Sequence, residues 1–317
     1  MTVITETQLL DEFTNTTNNE AYIKAFTNRV MRRDELTGYI IGNDQRKLFI
    51  PYLLEEVKNK KEILDLGAGA GEILDEIHPF VQGTTFHLEE PNLALLNEYA
   101  ERLRRYNIQK GEVSSSTVQE YLKIRDRANP VDCILCIHMI YHLTDFTSEN
   151  PNPEAELQDF IVKLYDLLAD GSSIFLVYAD LEQAYAGKVA LSYFDAFGKK
   201  QHHVNLARLY RARNKVLKEQ GVLKLLKSLN PQDNITMNSV VCNSQFYGDS
   251  IYDLAAMSLV GELIEANDEP FDLRKLEHAL SMVLKPKDGI KIAQGADMWS
   301  ANEEQVICII KKNSTII

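Results

Sequence analysis

The sequence predicts an α/β protein built on a doubly wound, mostly parallel sheet of seven strands. Apolar runs that fit strands alternate with helical patterns from about residue 61 to residue 180. The connections between these runs are too long for hairpins, so we expect parallel strands with helices on both faces of the sheet. A glycine cluster at residues 67–71 directly follows the first apolar run. Ligands of such sheets bind at the carboxyl ends of the strands.

Five strands are predicted within this region, and two more in the C-terminal third. The first five are residues 62–66, 84–89, 108–113, 131–139 and 173–178. Helical patterns connect them, one from residue 71 to about residue 80, one opening at Pro91 and one opening at Pro153. Residues 235–242 and 306–311 supply the last two strands.

The chain reads as one sheet domain with helical additions, because no repeat or low-complexity linker divides it. We expect residues 1–60 to form an N-terminal helical lid segment and residues 61–180 to form the cofactor-binding α/β core. Residues 181–233 are predicted to be a helical insertion on the substrate side. Residues 234–317 complete the sheet.

The composition argues against nucleic acid and membrane partners. The 317 residues carry a formal net charge of -12, whereas phosphate backbones and anionic lipids attract clustered cations. The basic clusters at residues 102–105 and 208–213 have helical spacing and fit solvated helix faces. Apolar runs stay short of the roughly 18 to 20 residues of a membrane span, and the N-terminus lacks a secretory pattern. We therefore expect a cytoplasmic protein with a small-molecule partner; its oligomeric state is left open.

The four cysteines are predicted to be buried, reduced thiols. Cys133 and Cys136 form a CxxC inside an apolar strand, where residues three apart point to opposite faces and cannot easily share a metal or close a bridge. Cys242 and Cys308 lie in other strand-like stretches. No metal site is predicted.

The glycine cluster is the strongest functional signal. A buried strand ends in Asp65 and Leu66, and glycines follow at residues 67, 69 and 71. A dinucleotide site needs GxGxxG, but Glu72 occupies the position of the third glycine, where a carboxylate would face a pyrophosphate. S-adenosylmethionine has no phosphate and carries a sulfonium and an amino group, so acidic neighbours suit it. We predict a site at Gly67, Ala68 and Gly69, with Asp65 on the amino-acid part of the cofactor.

Two further contacts are predicted at the ends of the next strands. A carboxylate after the second strand can accept both ribose hydroxyls, and it lies about 20 residues after the loop, as expected for an adjacent strand. Glu90, followed by Pro91, is the preferred residue, and Glu89 is the alternative. Ser115 and Ser116, after the third strand, are candidates to bond the adenine amine.

The end of the fourth strand carries the candidates for contact with the methyl acceptor. Ile137 is placed to cover the adenine or ribose. His138, Tyr141 and His142 follow it and are predicted to bind the acceptor or remove its proton, since histidine titrates near neutral pH. The alternative for each is a packed or exposed side chain without a chemical role.

Residues 61–180 resemble the class I S-adenosylmethionine-dependent methyltransferases through the segment Asp65-Leu66-Gly67-Ala68-Gly69-Ala70-Gly71. Most of the chain also resembles the histamine N-methyltransferase family in short, separated segments. The resemblance implies methyl transfer to a small amine. The sequence departs from that family at Leu95 and His138, where the family has glutamine. The segments that carry this second resemblance are Gly69-Ala70-Gly71-Glu72-Ile73, Glu90-Pro91, His138-Met139-Ile140-Tyr141 and Phe271-Asp272-Leu273-Arg274.

These observations predict an S-adenosylmethionine-dependent methyltransferase that acts on a small molecule, at an amine nitrogen. Three alternatives stay open. The first is methyl transfer to oxygen, the second is a nicotinamide-dependent oxidoreductase, which Glu72 disfavours, and the third is a catalytically silent member of the fold that binds a cofactor without turnover.

Overall fold

The computed structural model describes residues 5–125, 128–144, 151–264, 267–286 and 289–313. The chain forms two compact units. The first comprises Met1–Leu48, Ala179–Arg211 and Cys242–Gln305, and the second comprises Phe49–Tyr178, Ala212–Val241 and Val306–Ile317. The predicted segment boundaries at residues 60, 180 and 233 stay predictions.

The central sheet confirms the predicted fold class. Its main path has seven strands in the order β3-β2-β1-β4-β5-β8-β6, and a short additional strand, β7, which the sequence did not predict, pairs with β8. The strands are β1 (Glu62–Leu66), β2 (Thr85–Glu89), β3 (Gln109–Ser114), β4 (Val131–Ile137), β5 (Leu168–Ala179), β6 (Asn234–Gly248), β7 (Ile292–Gln294) and β8 (Trp299–Asn313).

The pairings of β1 with β2 and β4, of β2 with β3, and of β4 with β5 are all parallel. The carboxyl ends of β1, β2 and β4 therefore lie at one edge of the sheet, and strand order reverses there, between β1 and β4. Ligands bind at such an edge in open α/β sheets. The β7–β8 pair is antiparallel.

Twelve α-helices are assigned within the described ranges. Helices α3 to α7 belong to the second unit, except for the first residues of α3. None of these helices combines the length and the apolar character that crossing a membrane requires. The helices are α1 (Glu6–Phe13), α2 (Asn18–Ala25), α3 (Gln45–Val57), α4 (Leu74–Ile77), α5 (Leu93–Arg105), α6 (Val118–Ile124), α7 (Pro153–Tyr165), α8 (Tyr185–Ala196), α9 (Lys200–Arg213), α10 (Gly221–Leu229), α11 (Ile251–Met257) and α12 (Arg274–Leu284).

Two helix starts differ from the sequence prediction. The helix predicted from residue 71 to residue 80 is only the four-residue α4, followed by a 3₁₀ turn at His78–Phe80. Gly71 has a left-handed backbone (φ 71°), which a helix cannot contain, so the chain turns before α4 begins. Pro91 does not open α5 itself. Asn92 caps this helix, because its Oδ1 accepts hydrogen bonds from the N–H groups of Ala94 and Leu95.

The core of the second unit lies on the face of the sheet that α6, α7 and α10 cover. Leu64, Ile134, Ile174 and Val306 are fully buried there, each from a different strand. Burying one such side chain contributes about 1.5 to 3 kcal/mol, so this face accounts for much of the stability of the unit. Cys133, Cys136 and Cys308 are buried free thiols, but Cys242 is only half-buried, which corrects the expectation for that residue.

A buried acid organises part of the first unit. Glu303 of β8 accepts a hydrogen bond from the Ala186 N–H in the first turn of α8, a helix that has no side-chain cap of its own. Burial raises the pKa of Glu303 to about 8, and the nearby carboxylate of Asp180 adds to the shift. Glu303 is therefore an external cap for this helix and carries its proton near neutral pH.

Candidate active site

The chain leaves β1 through a loop of left-handed glycines. Gly67, Gly69 and Gly71 have φ values of 61°, 56° and 71°. A Cβ at Gly67 would lie 2.6 Å from the Cβ of Met139, which follows β4, so a side chain does not fit between the two strand ends. A Cβ at Gly69 would meet nothing within 4 Å. The middle of the loop is therefore open to a ligand that approaches the backbone closely.

Asp65 is held beneath this loop by Tyr99, a residue that the sequence analysis did not select. Its carboxyl group is buried, and Tyr99 of α5 donates a hydrogen bond of 2.8 Å to its Oδ2. A Cβ added to Gly71 would also lie only 2.5 Å from the Tyr99 ring. Spacing within one helix could not show that the Tyr99 hydroxyl reaches Asp65.

The two acids at the end of β2 hold different glycines. Glu89 is buried, and its Oε2 accepts a hydrogen bond of 3.0 Å from the Gly67 N–H. Glu90 is half-buried; its Oε2 accepts one of 2.9 Å from the Gly69 N–H, and its Oε1 accepts another from the Asn92 N–H. Both carboxyl groups therefore border the loop, and Glu90 is the more accessible of the two.

Burial keeps protons on two of these acids. It raises the pKa of Asp65 to about 7, and repulsion from Glu89 and Glu90 adds to this although the Tyr99 hydrogen bond opposes it. Burial also raises the pKa of Glu89 to about 7, and Glu90 adds to that shift although the Gly67 hydrogen bond opposes it. Three carboxyl groups thus surround one loop, and a cation would be favourable beside them.

This arrangement predicts that the empty protein loses stability as the pH rises. Asp65 and Glu89 keep protons in the folded chain that the unfolded chain has released, so the free energy of unfolding falls between about pH 4 and pH 7. The amide of Asp65→Asn keeps an acceptor for Tyr99. In this variant the free energy of unfolding should fall less over the same pH range than in wild type, by on the order of 1 to 3 kcal/mol. Urea unfolding at several pH values measures this slope. An unchanged slope in Asp65→Asn would contradict the assignment of the proton.

The other predicted cofactor residues lie along the same edge. The Ala68 N–H donates to the Glu89 carbonyl at 3.0 Å, which ties the loop to β2. Pro91 is exposed beyond Glu90. Ser115 is exposed, whereas Ser116 is half-buried, and its hydroxyl bonds the hydroxyl of Ser114 at 2.7 Å. All four residues keep their predicted roles as proposals.

The end of β4 places a histidine in an unusual backbone conformation. Ile137 is half-buried at the last position of the strand, and His138 follows with a φ of 56°. Left-handed backbone at a residue with a side chain is uncommon and clusters at functional sites. The Nδ1 of His138 lies 3.1 Å from the Oη of Tyr141, within hydrogen-bond distance. Sequence reasoning named both residues but not their contact.

Arg213 packs against Tyr141, and the sequence prediction that it is exposed to solvent was wrong. It was expected on a solvated helix face, but its exposed fraction is only 3%. Its guanidinium carbon is 5.1 Å from the centre of the Tyr141 ring, and its Nη2 donates to the Tyr141 carbonyl at 3.4 Å. Tyr178, at the carboxyl end of β5, donates to Asn214 and anchors this stretch. A buried cation therefore borders the predicted acceptor residues.

The side chain of His142 lies outside the described residues, so its predicted role stays a prediction. Within the described ranges, no group of three or more histidine, cysteine, aspartate or glutamate side chains is arranged to hold a metal ion.

One family of known proteins matches more than half of the chain. The family described as "Methyltransferase domain" matches residues 43–232. A search of curated proteins finds no match. Among solved structures, the chain is similar to the plantazolicin methyltransferase BpumL in complex with a monoazolic desmethylPZN analog and SAH, at 13% identity and a TM-score of 0.41, covering 86% of this chain and 87% of that one.

Two other solved structures are similar to the chain. The YcgJ protein from Bacillus subtilis has 12% identity and a TM-score of 0.48, with 84% of this chain and 99% of that chain covered. A SAM-dependent methyltransferase from Archaeoglobus fulgidus has 15% identity and a TM-score of 0.39, with 84% and 91% covered.

Proposed function

Because the chain belongs to the methyltransferase domain family and is an S-adenosylmethionine-dependent methyltransferase, we propose that it methylates a small molecule at an amine nitrogen. The observation that carries the assignment of the cofactor site is the open glycine loop bordered by Asp65, Glu89 and Glu90. The net charge of -12 supports a cationic acceptor, because an acidic protein raises the local concentration of cations.

The residues present fit the cofactor at this loop. Space above Gly69 admits a ligand against the backbone, and the surrounding carboxyl groups complement a sulfonium and an ammonium. We assign the amino-acid part of the cofactor to Asp65, Gly67, Ala68 and Gly69. Glu90 and Pro91 then face the ribose, and Ile137, Ser115 and Ser116 face the adenosine. The bound cofactor supplies the methyl group.

The chain itself has to bring an unprotonated nitrogen into line with that methyl group and exclude water. His138 and Tyr141 are the groups at the end of β4 that can orient the amine or take its proton. Methyl transfer to a neutral amine gives a methylammonium ion, because the positive charge passes from the sulfonium to the nitrogen. The proton is therefore lost before transfer, when the amine arrives as an ammonium, or afterwards from the methylated product.

Replacing Glu90 tests the ribose assignment. In Glu90→Ala we expect cofactor affinity to fall about tenfold to a hundredfold, because charge-assisted hydrogen bonds worth roughly 1.5 to 3 kcal/mol are lost. Calorimetric titration with S-adenosylmethionine and its demethylated product measures the affinity, and Glu98→Ala, an exposed acid of α5, is the control. Unchanged affinity in Glu90→Ala would remove the ribose from Glu90 and leave Glu89 as the alternative.

A screen of metabolites identifies the acceptor class. The protein is incubated with S-adenosylmethionine and pools of amines, phenols and carboxylic acids, and mass spectrometry detects products heavier by one methylene. Methylated amines are expected. Methylation confined to phenols or carboxylic acids would contradict the amine assignment, and the absence of product in every pool would support a silent cofactor-binding protein.

Methyl transfer to oxygen is a second candidate, and Arg213 is the observation that favours it. A buried guanidinium beside Tyr141 stabilises negative charge nearby. A phenolate or carboxylate acceptor would benefit from that charge, whereas an ammonium would not. In Arg213→Met, methylation of an oxygen acceptor should therefore fall much more than methylation of a neutral amine.

A further inference from the structure

We propose that Glu89 is a positioning residue for the cofactor loop: its carboxyl group holds the Gly67 N–H as a neutral acid and gives up its proton when a positively charged cofactor enters. This inference rests on the proposed function, because it assumes that S-adenosylmethionine binds at this loop. It assigns Glu89 a role distinct from that of Glu90, which we place on the ribose.

The hydrogen bonds of Glu89 support this separation. Its Oε2 accepts from Gly67, the first glycine of the loop, and its backbone carbonyl accepts from Ala68. Its other oxygen, Oε1, is buried and has no hydrogen-bond partner among the residues that the structure describes. Since 1% of the residue is exposed, its side chain is a support under the loop rather than an accessible ligand contact.

An oxygen without a partner is costly when it carries charge and much less costly when it carries a proton. The groups that face Glu89 do not offset a negative charge. Glu90 is the adjacent acid, the carboxyl group of Asp65 on β1 is close enough to repel it, and Tyr121 of α6 presents a hydroxyl that is buried without a partner in the described chain. Burial accordingly raises the pKa of Glu89 to about 7, so the folded protein holds this proton to a higher pH than an exposed glutamate does.

A cofactor with a sulfonium changes this balance. A positive charge beside the loop favours the ionised form of Glu89, and the proton moves to the buffer. The demethylated product keeps the ammonium but has a neutral sulfur, so its binding should draw fewer protons from Glu89. The two cofactor forms should therefore differ in the number of protons that they release when they bind.

Calorimetry measures the number of protons released on cofactor binding, and it needs no methyl acceptor. The heat of binding at about pH 7 is compared between two buffers that differ in ionisation enthalpy, for S-adenosylmethionine and for its demethylated product. We expect S-adenosylmethionine to release more protons on binding than its demethylated product does. Glu89→Gln should reduce the release with S-adenosylmethionine, and taking the difference from wild type cancels protons that come from the cofactor itself. Asp65→Asn shows how much of the release comes from the neighbouring acid.

Affinity tests the positioning role in the same variants. The glutamine carbonyl can still accept the Gly67 N–H, so Glu89→Gln should bind the demethylated product within about threefold of wild type. Glu89→Met leaves that N–H without an acceptor and should lose about tenfold or more. Thermal unfolding identifies any variant that fails to fold, and the glutamine variant alone still decides the question of the proton.

The outcomes separate the two proposals. No binding of S-adenosylmethionine by the wild-type protein would overturn the proposed function. Tight binding with equal proton release in wild type and Glu89→Gln would leave the function intact and overturn the proton assignment. Equal affinity in Glu89→Met and wild type would show that Glu89 does not position the loop.

Discussion

A Gly69→Ala variant is expected to lose cofactor affinity by about a hundredfold while its fold stays intact. The new methyl group would point into space that is open in the empty protein, where it meets no atom within 4 Å. That space is where we place the cofactor against the backbone, so the methyl group would displace it. Overpacking of this kind should weaken cofactor binding by about 1 to 3 kcal/mol. The strain of alanine in a left-handed backbone should lower the free energy of unfolding by about 1 to 2 kcal/mol.

Gly83→Ala is the matched control for this experiment. Gly83 also has a left-handed backbone, with a φ of 80°, and a Cβ there also meets nothing within 4 Å. Gly83 precedes β2 at the opposite edge of the sheet from the glycine loop. Both variants should therefore lose similar stability in urea unfolding, and only Gly69→Ala should lose affinity for S-adenosylmethionine. Equal affinity in the two variants would remove the cofactor from this part of the loop.

The second large effect concerns His138. His138→Gln is expected to lower turnover while leaving cofactor affinity nearly unchanged, because we assign the cofactor contacts to other side chains and to the glycine loop. If His138 takes the proton of the acceptor, the loss should be about 10²- to 10⁴-fold. If it only orients the acceptor, the glutamine amide can replace one hydrogen bond of the imidazole, and part of the activity should remain.

The backbone at His138 guides the choice of controls. Asparagine tolerates a left-handed backbone better than most residues, so His138→Asn separates the loss of the imidazole from strain at a φ of 56°. Tyr141→Phe removes the hydroxyl that contacts Nδ1 while the ring remains under Arg213. Turnover and cofactor affinity are measured in each variant with the acceptor that the screen identifies.

Two results would change the assignment of His138. Full turnover in both His138→Gln and His138→Asn would leave it without a chemical role. A fall in cofactor affinity that matches the fall in turnover would make it a support of the cofactor pocket. In that case the acceptor contact has to be sought at Tyr141 or His142.

The sequence predicted the order of strands and helices because the strands are short apolar runs bounded by strong turn signals. The loop at residues 67–71 is an example, since its glycines mark the end of β1, and the structure shows left-handed backbone at three of them. The helix after the loop was predicted too long, because apolar spacing in residues 73–77 does not reveal the backbone angle of Gly71. The strand β3 has no apolar alternation of its own, and it forms through its pairing with β2.

Sequence position can select single residues at the end of a strand, but it cannot show where two distant residues meet. Position alone selected Asp65, Glu90 and His138. The contact of Tyr99 with Asp65 depends on how α5 packs on the sheet, which spacing within one helix cannot give. Arg213 was assigned to solvent because charged residues at helical spacing are usually exposed, and only tertiary packing shows that it is buried.

The contact of Tyr99 with Asp65 and Gly71 also bears on the entropy of binding. A loop with three left-handed glycines would be disordered in isolation, because glycine loses more conformational freedom on ordering than other residues. Here α5 holds both ends of the loop through one buried aromatic ring. The loop is thus ordered when the protein folds, and cofactor binding does not have to supply that free energy. Cofactor exchange can then proceed on a preorganised surface, without refolding of the loop in each catalytic cycle.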